Sequence, residues 1–300
     1  MPNVSERIIV LKKTKLAEMD LIITGFTESG HQIKTVVKGG RKPGSRRGSH
    51  LELFSVSQVL VYQGRSSLTT LSEVELVKSH SGCRVDIEHS SAAAALAELV
   101  EVITRDADFE PRLFLLLDAS LDAIENTPID GLEMVTAAAI LKIVSQIGFQ
   151  PSLDSCVICG RERSQEAPGQ GPKSPAAEDE SSRARRFRFS FAQGGLVCYD
   201  CYHNSMISDD GTGDGGSAPD AVFSPDIGNN EPGFAVTDDM DPALFDWLAL
   251  LIKSRFVDLA SHATEANRPT ALLLLAFARN WMRAHITARN RSVDFLLSLR

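Results

Sequence analysis

The sequence predicts an α+β fold in which a small N-terminal β-barrel is followed by an α-helical domain. Three observations lead to this prediction. The first 80 residues contain short apolar runs separated by turn residues, as is typical of antiparallel strands. From residue 91 onwards, apolar residues recur at helical spacing. Four of the five cysteines form two Cys-x-x-Cys pairs, which indicates a metal-binding lobe among the helices.

The N-terminal segment divides into five predicted strands. They cover residues 8–11, 20–26, 32–37, 51–62 and 68–77. Turn residues at 28–31 and 63–66 connect the second strand to the third and the fourth to the fifth. Five short strands in a nearly closed arrangement are typical of an oligonucleotide/oligosaccharide-binding (OB) barrel. We therefore predict a five-stranded OB barrel over residues 1–82.

A basic loop, residues 38–50, joins the third and fourth predicted strands. It contains four glycines and five cations: Lys38, Arg41, Lys42, Arg46 and Arg47. The loop lacks the Gly-x-x-x-x-Gly-Lys-Ser/Thr string of a nucleotide-binding phosphate loop, and no helical pattern follows it. It is either a solvated, mobile loop or an arm that contacts phosphates beside the barrel. The concentration of positive charge next to an OB barrel favours phosphate contact.

The remaining chain is predicted to be mainly helical. Helical spacing of apolar residues covers residues 91–104, 111–124, 131–147, 242–260, 269–286 and 292–299. We expect these helices to form one domain from residues 83–155 and 206–300. Residues 161–186 and 208–239 are rich in Gly, Pro, Ser and charged residues, and we expect them to be disordered.

The two cysteine pairs predict a metal site made of Cys156, Cys159, Cys198 and Cys201. Two tight turns, each presenting two thiolates, would complete a tetrahedral shell around structural Zn²⁺ and leave no position for water. Thirty-eight residues lie between the two pairs, so the site would close off a long lobe, residues 156–205. The alternatives are two unrelated thiol pairs or a redox pair, although redox chemistry needs only one pair. His203 could replace one thiolate, but four cysteines already suffice.

Charge is unevenly distributed along the chain. The net charge is −8, yet residues 1–85 contain 13 lysines and arginines against 7 acidic residues. Residues 86–155 contain 3 basic residues against 13 acidic ones. This asymmetry suits a protein whose N-terminal part holds phosphates while an acidic body stays away from them or meets a basic partner.

Sequence motifs argue against an enzyme and against a membrane protein. We find no metalloprotease His-Glu-x-x-His, no Gly-x-Ser-x-Gly and no Gly-x-Gly-x-x-Gly following a strand. There is no apolar run of about 20 residues, and residues 1–7 lack the order of a signal peptide. We therefore expect a cytoplasmic protein whose thiols bind metal instead of forming disulfides.

Two motifs flank the cysteine pairs. Residues 148–153 read Gly-Phe-x-Pro-x-Leu and lead into the first pair, and residues 194–201 read Gly-Gly-Leu-x-Cys-x-x-Cys. These motifs resemble the bacterial recombination mediator family RecO. The resemblance extends over nearly the whole chain and includes residues 20–23, residues 37–42, the C-terminal helix through His285, and Arg291 near the end. The long polar inserts depart from the family's compact pattern.

The resemblance implies a function in DNA repair. It implies an OB domain and a helical domain with a zinc lobe, in a nucleoid-associated protein that binds single- and double-stranded DNA and anneals complementary strands. It also implies cooperation with RecR in loading RecA onto DNA coated with single-strand-binding protein (SSB), and docking of the acidic, apolar SSB tail in the helical domain.

Candidate binding residues follow from charge and position. For DNA, the five loop cations are the primary candidates, and the secondary ones are Arg7, Lys12, Lys13, Lys15 and Lys34. For the SSB tail, the candidates are Arg279, Arg283, Arg289 and Arg291. Two other classes remain open: a zinc-stabilised protein-interaction scaffold whose basic loop is incidental, and a thiol oxidoreductase.

Overall fold

A computed structural model describes residues 3–63, 68–163, 187–202, 242–262, 268–286 and 290–299. Most of the two segments expected to be disordered lies outside these ranges, as does most of the predicted turn at 63–66. Residues 161–163 are the exception, because Ser155 and Glu162 form a β-bridge. Within the described ranges, no helix combines the length and apolar character needed to cross a membrane.

The N-terminal residues form the predicted barrel. Its strands are β1 Asn3–Lys15, β2 Leu21–Thr27, β3 Gln32–Val37, β4 Val56–Gln63 and β5 Thr69–Lys78. They close in the order β1-β2-β3-β5-β4, because β1 pairs antiparallel with both β2 and β4. The short β3–β5 pair is parallel. The prediction of a five-stranded OB barrel is confirmed.

The barrel uses both faces of its strands. Since alternate side chains of a strand point to opposite faces, one set fills the barrel and the other faces outwards. The inner set includes Ile8, Val10, Ile23, Val59 and Leu71. Ile9, Leu11 and Phe26 belong instead to the core formed with the helices. The barrel is therefore joined to the rest of the molecule by apolar packing.

The other elements follow in chain order. They are α1 Arg46–Ser49, α2 Ile87–Ile103, α3 Pro111–Glu125, α4 Leu132–Gln146, β6 Phe187–Ser190, β7 Gly195–Cys198, α5 Pro242–Lys253, α6 Phe256–His262, α7 Arg268–His285 and α8 Arg291–Ser298. Short 3₁₀ turns lie at Ser81–Arg84 and Ile129–Gly131. Helix α4 is buried almost all round and packs along α7. An apolar helix of this kind forms the centre of a helical domain.

Strand β1 is longer than the predicted 8–11, α2 begins at Ile87 instead of residue 91, and three further features differ from the sequence prediction. The basic loop contains the helical turn α1, where the Ser45 side chain accepts a hydrogen bond from the Gly48 N–H. Strand β4 begins at Val56, because residues 51–55 form a turn in which Phe54 has a φ of 71°. The predicted helix 242–260 is two helices, α5 and α6.

The break between α5 and α6 has a physical cause in Lys142. Its Nζ donates to the carbonyls of Ile252 and Ser254, both at 2.7 Å. A cation at a helix C-terminus satisfies carbonyls that lack intrahelical partners. Burial lowers the pKa of the Lys142 amine. A lysine 110 residues earlier in the chain thus fixes where α5 ends.

A polar cluster around the buried His80 joins the end of β5 to α3. The His80 ring is fully buried, and its Nε2 lies 2.8 Å from Asp118 Oδ1, while its Nδ1 lies 3.3 Å from Glu125 Oε2. Lys78 Nζ lies 2.5 Å from Asp122 Oδ2 and 3.3 Å from Asp118 Oδ1. Both ring nitrogens of His80 thus face carboxylates. The cluster fixes the position of the barrel relative to the helices.

We predict that Asp118→Asn lowers stability at neutral pH and flattens the acid dependence. The hydrogen bond to His80 holds the pKa of the Asp118 carboxyl below its ordinary value. The charged carboxylate therefore stabilises the folded state above about pH 4, and this contribution is lost as the pH falls. Urea unfolding at pH 7 should show a loss of about 2 kcal/mol in the variant, and a smaller further loss at pH 3 than in the wild type.

The matched control for this prediction is Asp154→Asn. Asp154 pairs with Lys253 where both side chains are more than 60% exposed, so its loss should matter little at any pH. Equal acid dependence of the wild type and the Asp118→Asn variant would contradict the assigned role of Asp118.

Candidate metal centre and nucleic-acid interface

The fold brings together the four cysteines of the two pairs. The Sγ atoms of Cys156, Cys159, Cys198 and Cys201 all lie within 4.8 Å of one another. The Cys159 and Cys198 sulfurs are 3.7 Å apart. A tetrahedral ion with metal–sulfur bonds of about 2.3 Å needs sulfurs about 3.8 Å apart. The four residues can therefore hold one metal ion.

Backbone hydrogen bonds shape the first cysteine turn. The Cys156 N–H donates to the Arg161 carbonyl at 2.8 Å, and the Gly160 N–H donates to the Cys156 carbonyl at 2.9 Å. Gly160 has a φ of 75°, which glycine adopts without the steric cost that a Cβ would bring. The Cys198 N–H points at Cys156 Sγ at 3.3 Å and so ties the second pair to the first.

The cysteine pairs approach each other because the chain around them packs closely. The Val157 N–H donates to the Leu196 carbonyl at 2.8 Å, across the two cysteine turns. A Cβ on Gly195 would lie 2.6 Å from the Ser152 carbonyl oxygen. The glycine before the second pair is therefore required for this close approach.

The thiols of the cluster differ in acidity. Burial raises the pKa of Cys156, but backbone N–H donors from Cys198, Cys159 and Ile158 outweigh it and lower that pKa to about 6. Burial raises the pKa of Cys198 and of Cys201, and the thiols of Cys156 and Cys159 raise both pKa values further. One thiolate thus forms readily and opposes the ionisation of its neighbours. A divalent cation bound between the thiolates would remove this repulsion, so four thiolates at these positions fit a metal ion.

Aromatic packing attaches the lobe to α7. The Phe189 ring lies 4.8 Å from that of Phe277 and 5.4 Å from that of Trp281, both edge to face. The Trp281 indole N–H donates to the Phe149 carbonyl at 2.9 Å. Ring pairs of this kind add to apolar burial. The lobe is therefore anchored on the helical core.

A second group of possible ligands was missed by sequence reasoning. His80, Asp122 and Glu125 present one ligand atom each within 4.8 Å of one another. The Lys78 ammonium lies 2.5 Å from an Asp122 oxygen, where it supplies positive charge to the carboxylates. We assign this group to structure, since Asp122 already pairs with Lys78 and Glu125 accepts a hydrogen bond from the Gly82 N–H at 2.7 Å. The three residues are up to 45 positions apart, so no short motif marks them.

Within the basic loop, Arg41 lies against a different part of the barrel from Arg46 and Arg47. Arg41 reaches the β1–β2 turn, where its Nη1 donates to the carbonyls of Ala17 at 3.0 Å and Glu18 at 2.8 Å. Arg46 and Arg47 line an open cavity of about 640 Å³ over β4 and β5. That cavity is also lined by Glu73 and Glu75, besides polar side chains.

The primary and secondary DNA-binding candidates differ in their ion pairs. In the part of the chain that the structure describes, Lys38, Arg41, Lys42, Arg46 and Arg47 form no ion pair with a carboxylate. Three secondary candidates do: Arg7 with Glu28 at 3.3 Å, Lys12 with Glu101 at 2.9 Å, and Lys13 with Glu52 at 2.9 Å. Lys15 and Lys34 are exposed.

The arginines near the C-terminus are partly engaged. Both Asp294 carboxylate oxygens accept from Arg283 Nη2, at 2.5 and 2.7 Å, and Arg279 Nη1 lies 3.8 Å from Asp294 Oδ1. Arg291 is exposed at the start of α8, and Arg289 lies outside the described residues, as does His203. Sequence reasoning did not identify Asp294 as their partner.

Two family models and several known proteins match this chain. Residues 1–80 match the family model "Recombination protein O N terminal", and residues 84–206 match "Recombination protein O C terminal". The DNA repair protein RecO of Thermoanaerobacter sp. (strain X514) is 31% identical over 193 residues, which is 64% of this chain and 68% of that protein. The chain belongs to the RecO family of DNA repair proteins.

Other RecO proteins show the same extent of similarity. The DNA repair protein RecO of Alkaliphilus metalliredigens is 32% identical over 193 residues, 64% of this chain and 70% of that protein. The Rubrobacter xylanophilus protein is 32% identical over 195 residues, 65% of this chain and 70% of its own length. The RecO N-terminal model covers the barrel, and the C-terminal model covers α2–α4 and the four cysteines.

We expect the purified protein to contain about one equivalent of metal per chain, which Cys156→Ser should abolish. Structural sites bind zinc with on the order of 10–16 kcal/mol, so its loss should unfold the lobe. Elemental analysis measures the metal, and limited proteolysis measures the order of residues 187–202. Cys83→Ser is the matched control, because Cys83 is a cysteine buried outside the cluster. Full metal content in the Cys156→Ser variant would show that these cysteines do not form the site.

Proposed function

We propose that this RecO-family protein is a recombination mediator. It binds single- and double-stranded DNA, anneals complementary strands and, with RecR, helps to load RecA onto SSB-coated single strands. The observation that carries the proposal is the set of five loop cations without a carboxylate partner among the described residues, on an OB barrel in a chain of net charge −8. Family membership in DNA repair supports the same role.

Phosphate binding through these cations follows from counterion release. A cation that binds a phosphate displaces a condensed ion from the DNA, so affinity depends steeply on salt. Within the described ranges, Lys38, Lys42 and Arg46 have no internal anion to give up on binding. Arg7, Lys12 and Lys13 would first have to exchange a glutamate for a phosphate. We therefore rank the loop cations, with Lys15 and Lys34, above the ion-paired residues.

Annealing on this surface needs no covalent chemistry. When cations neutralise two strands, the repulsion between their phosphates falls and base pairing proceeds. No general acid, base or nucleophile is required, and we assign no catalytic residue. The proposed role would have the protein work in the cytoplasm, at the nucleoid.

We propose that the four cysteines hold structural Zn²⁺. Four thiolates fill a tetrahedral shell, so the ion would have no open position for water or substrate. Bound there, it would supply positive charge that keeps all four thiols ionised. The residues themselves position β7 against the first cysteine turn through the bonds described above. An oxidoreductase would instead use one accessible, reactive pair without metal; since Cys159 is exposed, the metal content of the purified protein distinguishes the two classes.

We predict that reversing the five loop charges weakens DNA binding and lowers its salt dependence. If each of Lys38, Arg41, Lys42, Arg46 and Arg47 contacts one phosphate of a single strand, replacement by Glu should reduce the slope of log K against log salt by about 3.5. Fluorescence anisotropy with labelled single strands measures this, and a strand-annealing assay with and without SSB measures the outcome.

The matched control reverses five exposed cations of the helical part. These are Arg105, Arg112, Lys253, Arg255 and Arg268. The change in net charge is the same, so an effect specific to the loop variant identifies the barrel as the DNA surface. An unchanged salt slope in the loop variant would contradict the proposal and favour a scaffold whose basic loop is incidental.

We predict that Arg283→Glu weakens binding of an acidic, apolar SSB-tail peptide by about tenfold or more, since an interfacial arginine–carboxylate contact is lost. Asp294 now occupies this guanidinium, so a peptide carboxylate must share or replace it. Asp294→Asn keeps the arginine and removes the competing charge, so it should bind the peptide at least as tightly as the wild type. Calorimetric titration that shows no difference among the three proteins would contradict the proposed site.

A further inference from the structure

The β1–β2 turn exposes two large apolar side chains. Leu16 is 46% and Met19 is 45% exposed, in a turn closed by a hydrogen bond from the Leu16 N–H to the Asp20 carbonyl at 3.2 Å. Lys15 precedes them at the end of β1. Exposed apolar residues grouped among charged ones are typical of a surface on which a ligand binds and covers them.

The basic loop holds this turn in place. The Arg41 N–H donates to the Met19 carbonyl at 2.9 Å, and the Gly39 N–H donates to Asp20 Oδ1 at 2.8 Å. The Arg41 guanidinium binds the turn through Nη1 alone, which leaves Nε and Nη2 without a hydrogen bond to any described residue. The turn and the loop thus form one surface, on which Arg41 can still bind an anion.

Residues 15–20, which include the turn, and residues 38–42 of the basic loop together carry four cations. Lys15, Lys38 and Lys42 are exposed, and like Arg41 they form no ion pair with a described carboxylate. The opposing charges are Glu18, within the turn, and Asp20, whose Oδ1 is bound to the Gly39 N–H. The surface therefore combines an apolar centre with an excess of cations.

We infer that Leu16 and Met19 contact the unpaired bases of single-stranded DNA while the surrounding cations contact its phosphates. This inference rests on the proposed function and adds the part of the DNA that the turn recognises. Every base has an apolar face, so such contacts tolerate any sequence. Methionine is flexible and polarizable and adapts to rings of different shape. In a duplex the internal bases are stacked, so this surface favours single strands.

The test compares Leu16→Ser/Met19→Ser with a matched control, Leu115→Ser/Val257→Ser. The control residues are 59% and 75% exposed and lie on α3 and α6. Anisotropy measures binding of three probes over a salt series: an oligothymidine strand, an abasic strand of the same length, and a blunt duplex.

The turn variant should bind oligothymidine about tenfold more weakly than the wild type. Its salt slope, and its affinity for the abasic strand and the duplex, should be unchanged, and the control should match the wild type on all probes. Wild-type affinity of the turn variant for oligothymidine would overturn the base contact but leave the charge-based proposal standing. Equal weakening on the abasic strand, or equal weakening in the control, would also overturn it. If the variant with five reversed loop charges bound oligothymidine as tightly as the wild type, the proposed function itself would be overturned.

Discussion

The separation of charge between the barrel and the helices is the constraint on which the rest of the molecule depends. A chain with a net charge of −8 can present cations to a polyanion only if its carboxylates are committed elsewhere. Several carboxylates form ion pairs at the junction of barrel and helices. Asp118 and Asp122 contact Lys78, and Glu101 contacts Lys12. These contacts fix the junction and use these carboxylates on cations outside the basic loop.

The cysteine cluster imposes a second constraint, which acts on shape. Four thiols within 4.8 Å would oppose one another's ionisation without a cation. Their approach also requires a backbone without a side chain at Gly195 and a left-handed turn at Gly160. The ring contact between Phe189 and Trp281 then attaches this small lobe to α7. Metal chemistry and aromatic packing therefore support the same local structure.

Features encoded by local pattern were predictable from the sequence. Alternating apolar residues indicated the five strands, and the spacing within each cysteine pair marked the metal ligands, because both patterns involve neighbours in the chain. Features that depend on distant partners were not predictable. The end of α5 is set by Lys142, and the acceptors of Arg283 lie on α8. The helical turn α1 was also missed, since four residues with two arginines and a glycine carry no apolar period.

The apolar core that runs from the barrel into the helices limits how the molecule can be divided. Ile9, Leu11 and Phe26 project from the barrel strands into the same core as α2, α4 and the cysteine lobe. A fragment ending after β5 would leave these side chains in water and would tend to self-associate. The barrel is consequently not a transplantable module. A shortened chain that keeps the barrel and its basic loop must also keep the helices. Otherwise the apolar side chains on the outer face of β1 and β2 would have to be replaced by polar ones.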